Sequence, residues 1–436
     1  QSIKAHKRIA FSLILSKTSD LLLSPKTTLP ALLTAAGAPS YLASLLVPIR
    51  ESGALLPQVL YAKLLEKHPH RHRAWRLGMF FQLACSLIML LAGLYLQGLI
   101  AGLVIVAALL VLSLSRALCS LTNKDIQGVH VKEGERGKLI GSASSLSALL
   151  TIFISAFALF SSNFDLIGAN SADTATANNA QDDKFWLLGG LAIFAQAACL
   201  LVMWRLKTNV DTASESADSQ ASKSEANSDS DSNSGEFLKT GLSERISSFM
   251  KSFKNPLPRF ILMRSFFSHS ALIAPLFILS YQGNLASVVA YLVLTQAVAS
   301  LLSSYVWGAL SDKSALLCMQ IGAALAIISS ACLAVLIFMF SETLANIYWI
   351  VALYFLLSLG HAGVRTGRKI YSLDIADEHE RTDFVAKSNS AVGTFILLAG
   401  LAYSALMALS INLTLILMTL GLSMGLAISF FVKKEK

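Results

Sequence analysis

Apolar residues run through this chain in stretches close to twenty residues long, each closed by a short polar turn. About twenty such residues are what a helix needs to cross the roughly 30 Å hydrocarbon core of a bilayer. The pattern predicts twelve membrane helices, at about 9–34, 40–62, 77–97, 100–121, 139–161, 185–204, 259–281, 286–308, 315–340, 345–367, 384–409 and 411–432. The first is the least apolar, because Lys17, Asp20 and Lys26 lie within it and Pro25 and Pro30 interrupt it. Pro48 and Pro57 in the second stretch, and Pro275 in the seventh, mark further places where a helix kinks or stops.

The connections decide whether the weak first stretch counts. Lys4, Lys7 and Arg8 precede it; Lys63, Lys67, Arg71, Arg73 and Arg76 follow the second; Lys124, Lys132, Arg136 and Lys138 follow the fourth; Lys433, Lys434 and Lys436 follow the last. The alternate connections are nearly free of Lys and Arg, and the longest, 161–183, carries Asp165, Asp173, Asp182 and Asp183. Positive charge stays on the cytoplasmic side. The alternation therefore requires twelve crossings with both termini cytoplasmic.

One long polar connection, 206–256, divides the twelve into a first unit of six at 1–205 and a second at 257–436. Its Ser/Asp/Glu-rich start at 211–234 has the composition of a disordered linker. From about 237 to 254, Leu238, Leu242, Ile246, Phe249, Met250 and Phe253 recur at helical spacing among Lys239, Arg245, Lys251 and Lys254. That pattern predicts an amphipathic helix lying on the inner membrane surface.

Composition agrees with a polytopic, all-helical membrane protein: 54% of residues are hydrophobic and 14% charged. Soluble domains average about 45–50% and 25%. The net charge of +9 follows from the topology of the loops and points to no nucleic-acid partner. Cys85, Cys119, Cys199, Cys318 and Cys332 fall in or beside apolar stretches without CxxC spacing, so no metal cluster or disulfide framework is read. His68, His70 and His72 form a solvated basic turn, and no cleavable signal peptide is read at the start.

The two units echo each other. Residues 303–313, SSYVWGALSDK, repeat weakly at 57–67, PQVLYAKLLEK, so that Ala62, Glu66 and Lys67 fall on Gly308, Asp312 and Lys313. Arg116 and Asp125 stand nine apart, as do Arg365 and Asp374, and each pair precedes a Glu-Arg dipeptide, at Arg136 and Arg381. Echoes in register are the mark of a duplicated helix bundle.

At these residues the chain resembles the major facilitator superfamily of transporters. The family signature G-x-L-x-D-R-x-G-R-K is met in the second unit by Gly308, Leu310 and Asp312, with Lys313 for the Arg and no trailing G-R-K. In the first unit only Leu64 matches strictly. The resemblance implies two pseudo-symmetric six-helix bundles, a cavity lined by the first, fourth, seventh and tenth helices, and lipid-facing third, sixth, ninth and twelfth. It also implies a cytoplasmic latch between the halves; here Glu66, Lys67, Asp125, Arg136, Gly308, Asp312, Lys313, Asp374 and Arg381 are the gate candidates. The G-x-x-x-G-P and R-x-x-x-G motifs of the drug antiporters are missing: the fifth stretch has Gly141 but no proline, and Ser120 follows Arg116 where Gly is expected.

Charges inside a membrane helix cost about 2.5–3.5 kcal/mol on insertion scales and mark function by default. The candidates for substrate binding or proton coupling are Lys17, Asp20, Lys26, Arg50, Glu51, Arg116, Arg264 and Arg365. Asp20, Lys17, Arg50 and Glu51 are expected to form one cluster on the first-unit wall of the cavity. His269 and His361 are read as hydrogen-bonded bundle histidines.

The excess of bases points to an anionic or zwitterionic small molecule, carried by ion-coupled secondary transport with protons as the candidate ion. Drug or metabolite efflux on the same fold is the nearest alternative. A membrane sensor or lipid-modifying enzyme is the alternative from another class, although no HExxH, nucleophile elbow or Walker motif is present. The expected protein is a monomer without cofactor, metal or catalytic residues, in a bacterial inner membrane.

Overall fold

The computed structural model describes residues 2–66, 71–131, 136–161, 174–204, 256–311, 313–374 and 381–432. All regular structure among them is helical. In hydrocarbon a helix satisfies its own backbone hydrogen bonds, which an isolated strand cannot do. The predicted linker and surface helix lie outside the described residues, except for Pro256.

Ten helical segments are long and apolar enough to cross a membrane. They include α5 (Arg71–Tyr95), α6 (Gly98–His130), α7 (Arg136–Ser161) and α8 (Thr174–Trp204). Later in the chain come α12 (Leu285–Ser311), α13 (Ala315–Met339), α14 (Ile347–Asp374), α15 (Arg381–Leu409) and α16 (Ile411–Ser429). The tenth, the predicted seventh crossing, is laid down in three pieces: α9 (Pro256–Phe267), α10 (His269–Leu272) and α11 (Ala274–Ser280).

The first two predicted crossings are also broken, and neither meets the length and apolarity of the other ten. Helix α1 (Ser2–Leu22) stops before a turn at Pro25, and α2 (Thr28–Ala35) resumes beyond it. The Thr28 hydroxyl donates to Leu22 O across that turn, and Leu29 N donates to Ser24 O at 3.0 Å. Helices α3 (Ser40–Leu55) and α4 (Gln58–Glu66) are divided at Pro57, whereas Pro48 is carried inside α3 without breaking it. Gly37, at φ +70°, makes the left-handed turn between α2 and α3.

Packing repeats with the sequence echo. Helix α5 packs on α6 as α13 packs on α14, and α3 on α6 as α12 on α14. Helix α1 packs on α7 and α8 as α9 packs on α15 and α16. The two most extensive pairings that cross from the first series to the second are α3 with α15 and α7 with α12, and each is the other's counterpart under the repeat.

At the α13–α14 seam backbone meets backbone. A Cβ on Gly322 would sit 2.6 Å from Gly360 O, and one on Gly360 would sit 2.5 Å from Gly322 O. Small residues bring membrane helices together in this way because lipid supplies no hydrophobic drive between them. Trp307 of α12 covers Gly363 and donates its indole N–H to Leu359 O at 3.0 Å.

Candidate functional site

The in-helix charges gather in two groups rather than one. The first is built on Asp20 of α1. Its Oδ1 accepts from Arg50 Nη2 of α3 at 2.8 Å and from Arg116 Nη1 of α6. The carboxylate is thus shared by two guanidiniums, and the three side chains keep only 12–33% exposure. Lys17, one turn from Asp20, points instead toward α7, where it donates to Ile140 O at 3.1 Å and to the Ser144 hydroxyl. A cavity of about 230 Å³ opens beside this group, lined by Lys17, Asp20, Gln82, Arg116, Cys119 and Asn123 among others.

The second group surrounds a kink and a stripe. Lys26, in the turn between α1 and α2, lies 2.8 Å from His361 Nε2 of α14. His361 Nδ1 lies 3.0 Å from Ser270 Oγ of α10, and that hydroxyl donates to Phe267 O at 2.8 Å. A lysine ammonium has no acceptor, so His361 Nε2 accepts from Lys26 and Nδ1–H donates to Ser270. The chain of hydrogen bonds therefore runs in one direction, from the first half of the sequence into the second.

Around it stand Arg264, Arg365 and Arg368. Arg264 is 7% exposed; its Nη1 donates to Ser388 Oγ at 2.8 Å and its Nη2 to Asn389 Oδ1 at 2.7 Å. Its Nε is buried without a partner among the described residues. Glu51 lies in the field of Lys26, Arg368, Arg50 and Arg365, without a direct ion pair to any of them. Two small cavities, of about 60 and about 20 Å³, adjoin here, with Ser270, His361 and Arg365 in the walls of both.

On helix α14, residues Tyr354, Ser358, His361, Arg365 and Arg368 fall at intervals of three and four. That spacing puts them on one face. Arg116 of α6 and Arg365 of α14 are the repeat pair of the sequence, and each faces a cavity.

No family model and no curated protein matches the chain. Solved structures do. The partially occluded inward-open form of the xylose transporter XylE from E. coli superposes with a TM-score of 0.66 at 11% identity, over 99% of this chain and 98% of that one. A D-xylose–proton symporter follows at 0.64 and 10%, over 99% and 96%. A bacterial metal transporter reaches 0.57 at 13%, over 98% of both chains.

The chain has the major facilitator fold. Near-complete coverage in both directions means that the likeness of fold extends along nearly the whole of both chains.

Of the gate candidates of this major facilitator fold, Asp125 is placed most clearly. Its carboxylate pairs with Arg71 Nε at 3.1 Å, and Arg71 also donates to Leu65 O, tying the end of α4 to α6. Asp125 thus pairs with the basic turn after the second segment, and Arg116, nine residues earlier, is turned to Asp20 instead. The Arg71–Asp125 pair is 23% and 47% exposed. Such a pair contributes about 0–1 kcal/mol. Arg71→Gln is expected to leave the unfolding temperature of the detergent-solubilised protein within about 3 °C of the parent; a larger drop would show that the backbone bond to Leu65 carries the turn.

Gly308 has open space where a Cβ would be, and Lys313 is exposed. Lys67 and Asp312 lie outside the described residues, as do His68 and His70, and so do the side chains of Glu66, Arg136, Asp374 and Arg381.

Arg368 escaped the sequence reading because the tenth apolar stretch ends at about 367. Helix α14 continues seven residues further, to Asp374, and carries Arg368 on the same face as Arg365. The signal was the three-four polar spacing, which a hydropathy boundary discards. His269 matches the bundle-histidine expectation, bonded to Phe266 O at 2.7 Å and Tyr403 OH at 2.8 Å. His361 is hydrogen-bonded as expected too, and its partners join two halves of the sequence at a cavity.

Proposed function

We propose that this protein is a secondary active transporter of a small organic anion, working by alternating access. The observation that carries the reading is the charge balance at the two joined cavities, where Lys26, Arg264, Arg365 and Arg368 face one acid, Glu51. A cavity with that surplus concentrates anions and rejects cations.

In this reading the polypeptide crosses the membrane twelve times with both termini cytoplasmic, and 1–205 and 257–436 are the two six-helix bundles joined by 206–256. The paired pattern of packing supports it. The α3–α15 and α7–α12 contacts are the seams along which one bundle rocks on the other. Glu66, Lys67, Arg136, Asp312, Asp374 and Arg381, with Asp125, Gly308 and Lys313, form the cytoplasmic latch.

Proton coupling falls to Glu51 rather than Asp20. Asp20 already neutralises Arg50 and Arg116, so protonating it would leave two buried guanidiniums without their acceptor. Glu51 has no such direct pair, so it can take up a proton when a bound anion neutralises the bases around it. The protein works as a monomer and needs no cofactor.

The test is flux. Purified protein in proteoliposomes should move a small organic anion in response to an imposed pH gradient. Arg365→Gln should cut that flux roughly tenfold to a hundredfold, the loss expected for one charge-assisted contact. Transport of neutral xylose with no anion flux would overturn the anion reading. The xylose transporters lend this chain their fold and not their substrate.

A further inference from the structure

The two joined cavities differ in chemistry, and the difference specifies a ligand. The smaller limb carries a surplus of positive charge: Arg264, Arg365 and Arg368 line it against one acid, Glu51, and the Nε of Arg264 is buried there without a partner among the described residues. An orphaned guanidinium N–H at an apolar wall is costly unless an acceptor meets it. The larger limb has no carboxylate, and beyond the Lys26–His361 junction and Arg365 its polar groups are uncharged. Tyr354 OH donates to Gln296 Oε1 at 3.2 Å and is hydrogen-bonded to Ser358; all three line the limb, and the Gln296 amide N–H groups take no part in the bond to Tyr354. Leu21, Ala274 and Leu357 close its walls. A charged head belongs in one limb and a hydroxylated body in the other.

Size narrows the choice. At roughly 10–15 Å³ per water, about 60 and about 20 Å³ hold about six waters between them. That is room for a ligand of fewer than about ten heavy atoms.

We infer that the joined cavities bind a short hydroxylated carboxylic acid, with its carboxylate on Arg264, Arg365 and Arg368 and its hydroxyls on Gln296, Tyr354 and Ser358. This deepens the transport reading and rests on it for the site's role, though not for the ligand's chemistry. The bidentate fork of an arginine matches a carboxylate. A site that has hydrogen-bonding groups ready for hydroxyls discriminates against an acid that lacks them, because those groups are then left unpaired.

Three probes of similar size separate the limbs: glycerate has both features, propionate only the carboxylate, and glycerol only the hydroxyls. Isothermal titration of the full chain in nanodiscs should show glycerate binding about threefold to tenfold more tightly than propionate, with no measurable glycerol binding. Gln296→Leu should weaken glycerate toward the propionate value and leave propionate unchanged. Arg365→Gln should abolish both. A thermal unfolding curve for each variant confirms that it is folded; if Arg365→Gln is not, the Gln296→Leu comparison still decides.

Propionate binding as tightly as glycerate would overturn the hydroxylated body. Glycerol or xylose binding as well as glycerate would overturn the anionic head, and inorganic phosphate outcompeting glycerate would overturn the carboxylate. Glycerate that binds but never enters proteoliposomes would overturn the transport reading and leave the ligand class standing. Flux of another anion without glycerate binding would do the reverse.

Discussion

Asp20→Asn should destabilise the protein by about 3 kcal/mol, seen as a lower unfolding temperature by tryptophan fluorescence in detergent. The asparagine keeps the shape of the side chain and removes its charge. Two guanidiniums, Arg50 at 2.8 Å and Arg116, then face each other across a neutral amide. Breaking a buried ion pair from one side costs about 3–5 kcal/mol, because the remaining charge loses its compensation. The residual exposure of 12–33% along the triad puts the effect at the low end of that range. Arg50→Gln on top of Asp20→Asn removes one of the stranded charges and should recover part of the loss. If the double variant is no more stable than the single one, Asp20 is held by something other than its charge. Because the triad joins α1, α3 and α6, the same substitution loosens three helices at once, and its effect on transport reads as altered structure rather than as a lost proton carrier.

How much of this could be read from the sequence depends on which physical force wrote each feature. The apolar stretches were legible because the bilayer imposes a length on every crossing. The breaks in the first, second and seventh segments were legible through Pro25, Pro57 and Pro275, since a proline removes a backbone donor wherever it stands. The grouping of charges was not. Asp20, Lys17, Arg50 and Glu51 are close in sequence or in depth, which suggested a single cluster. The structure parts them because helix faces, not depth, choose partners: Lys17 turns to α7, Asp20 to α3 and α6, and Glu51 toward Lys26 and Arg368. Lys26 was one candidate among eight, marked only by its charge inside the first apolar stretch. The turn at Pro25 places it against His361, 335 positions away in the chain, and no local pattern records that.

Gly360→Leu is the substitution expected to do most harm, abolishing the folded protein as judged by monodisperse elution after mild detergent extraction. The atoms opposing a new Cβ are backbone: Gly322 O at 2.5 Å and Ala326 N at 2.9 Å. No rotamer change relieves such a clash, so the α13–α14 seam must open along its length and lose the packing that holds it. The α3–α15 seam is looser at Gly393, although Gly400 of the same seam lies tight against Pro48. A Cβ on Gly393 would meet Leu56 Cγ at 3.1 Å and Leu55 Cβ at 3.2 Å, which are side-chain atoms able to give by a few tenths of an ångström. Gly393→Ala should therefore fold, with an unfolding temperature close to the parent, while slowing exchange between inward- and outward-facing states as measured by flux. The contrast separates a backbone contact inside one series of helices from a side-chain contact between the two, along the seam that the proposed transport cycle requires to move. If Gly393→Ala fails to fold while Gly360→Leu survives, that assignment of rigid and moving seams is reversed.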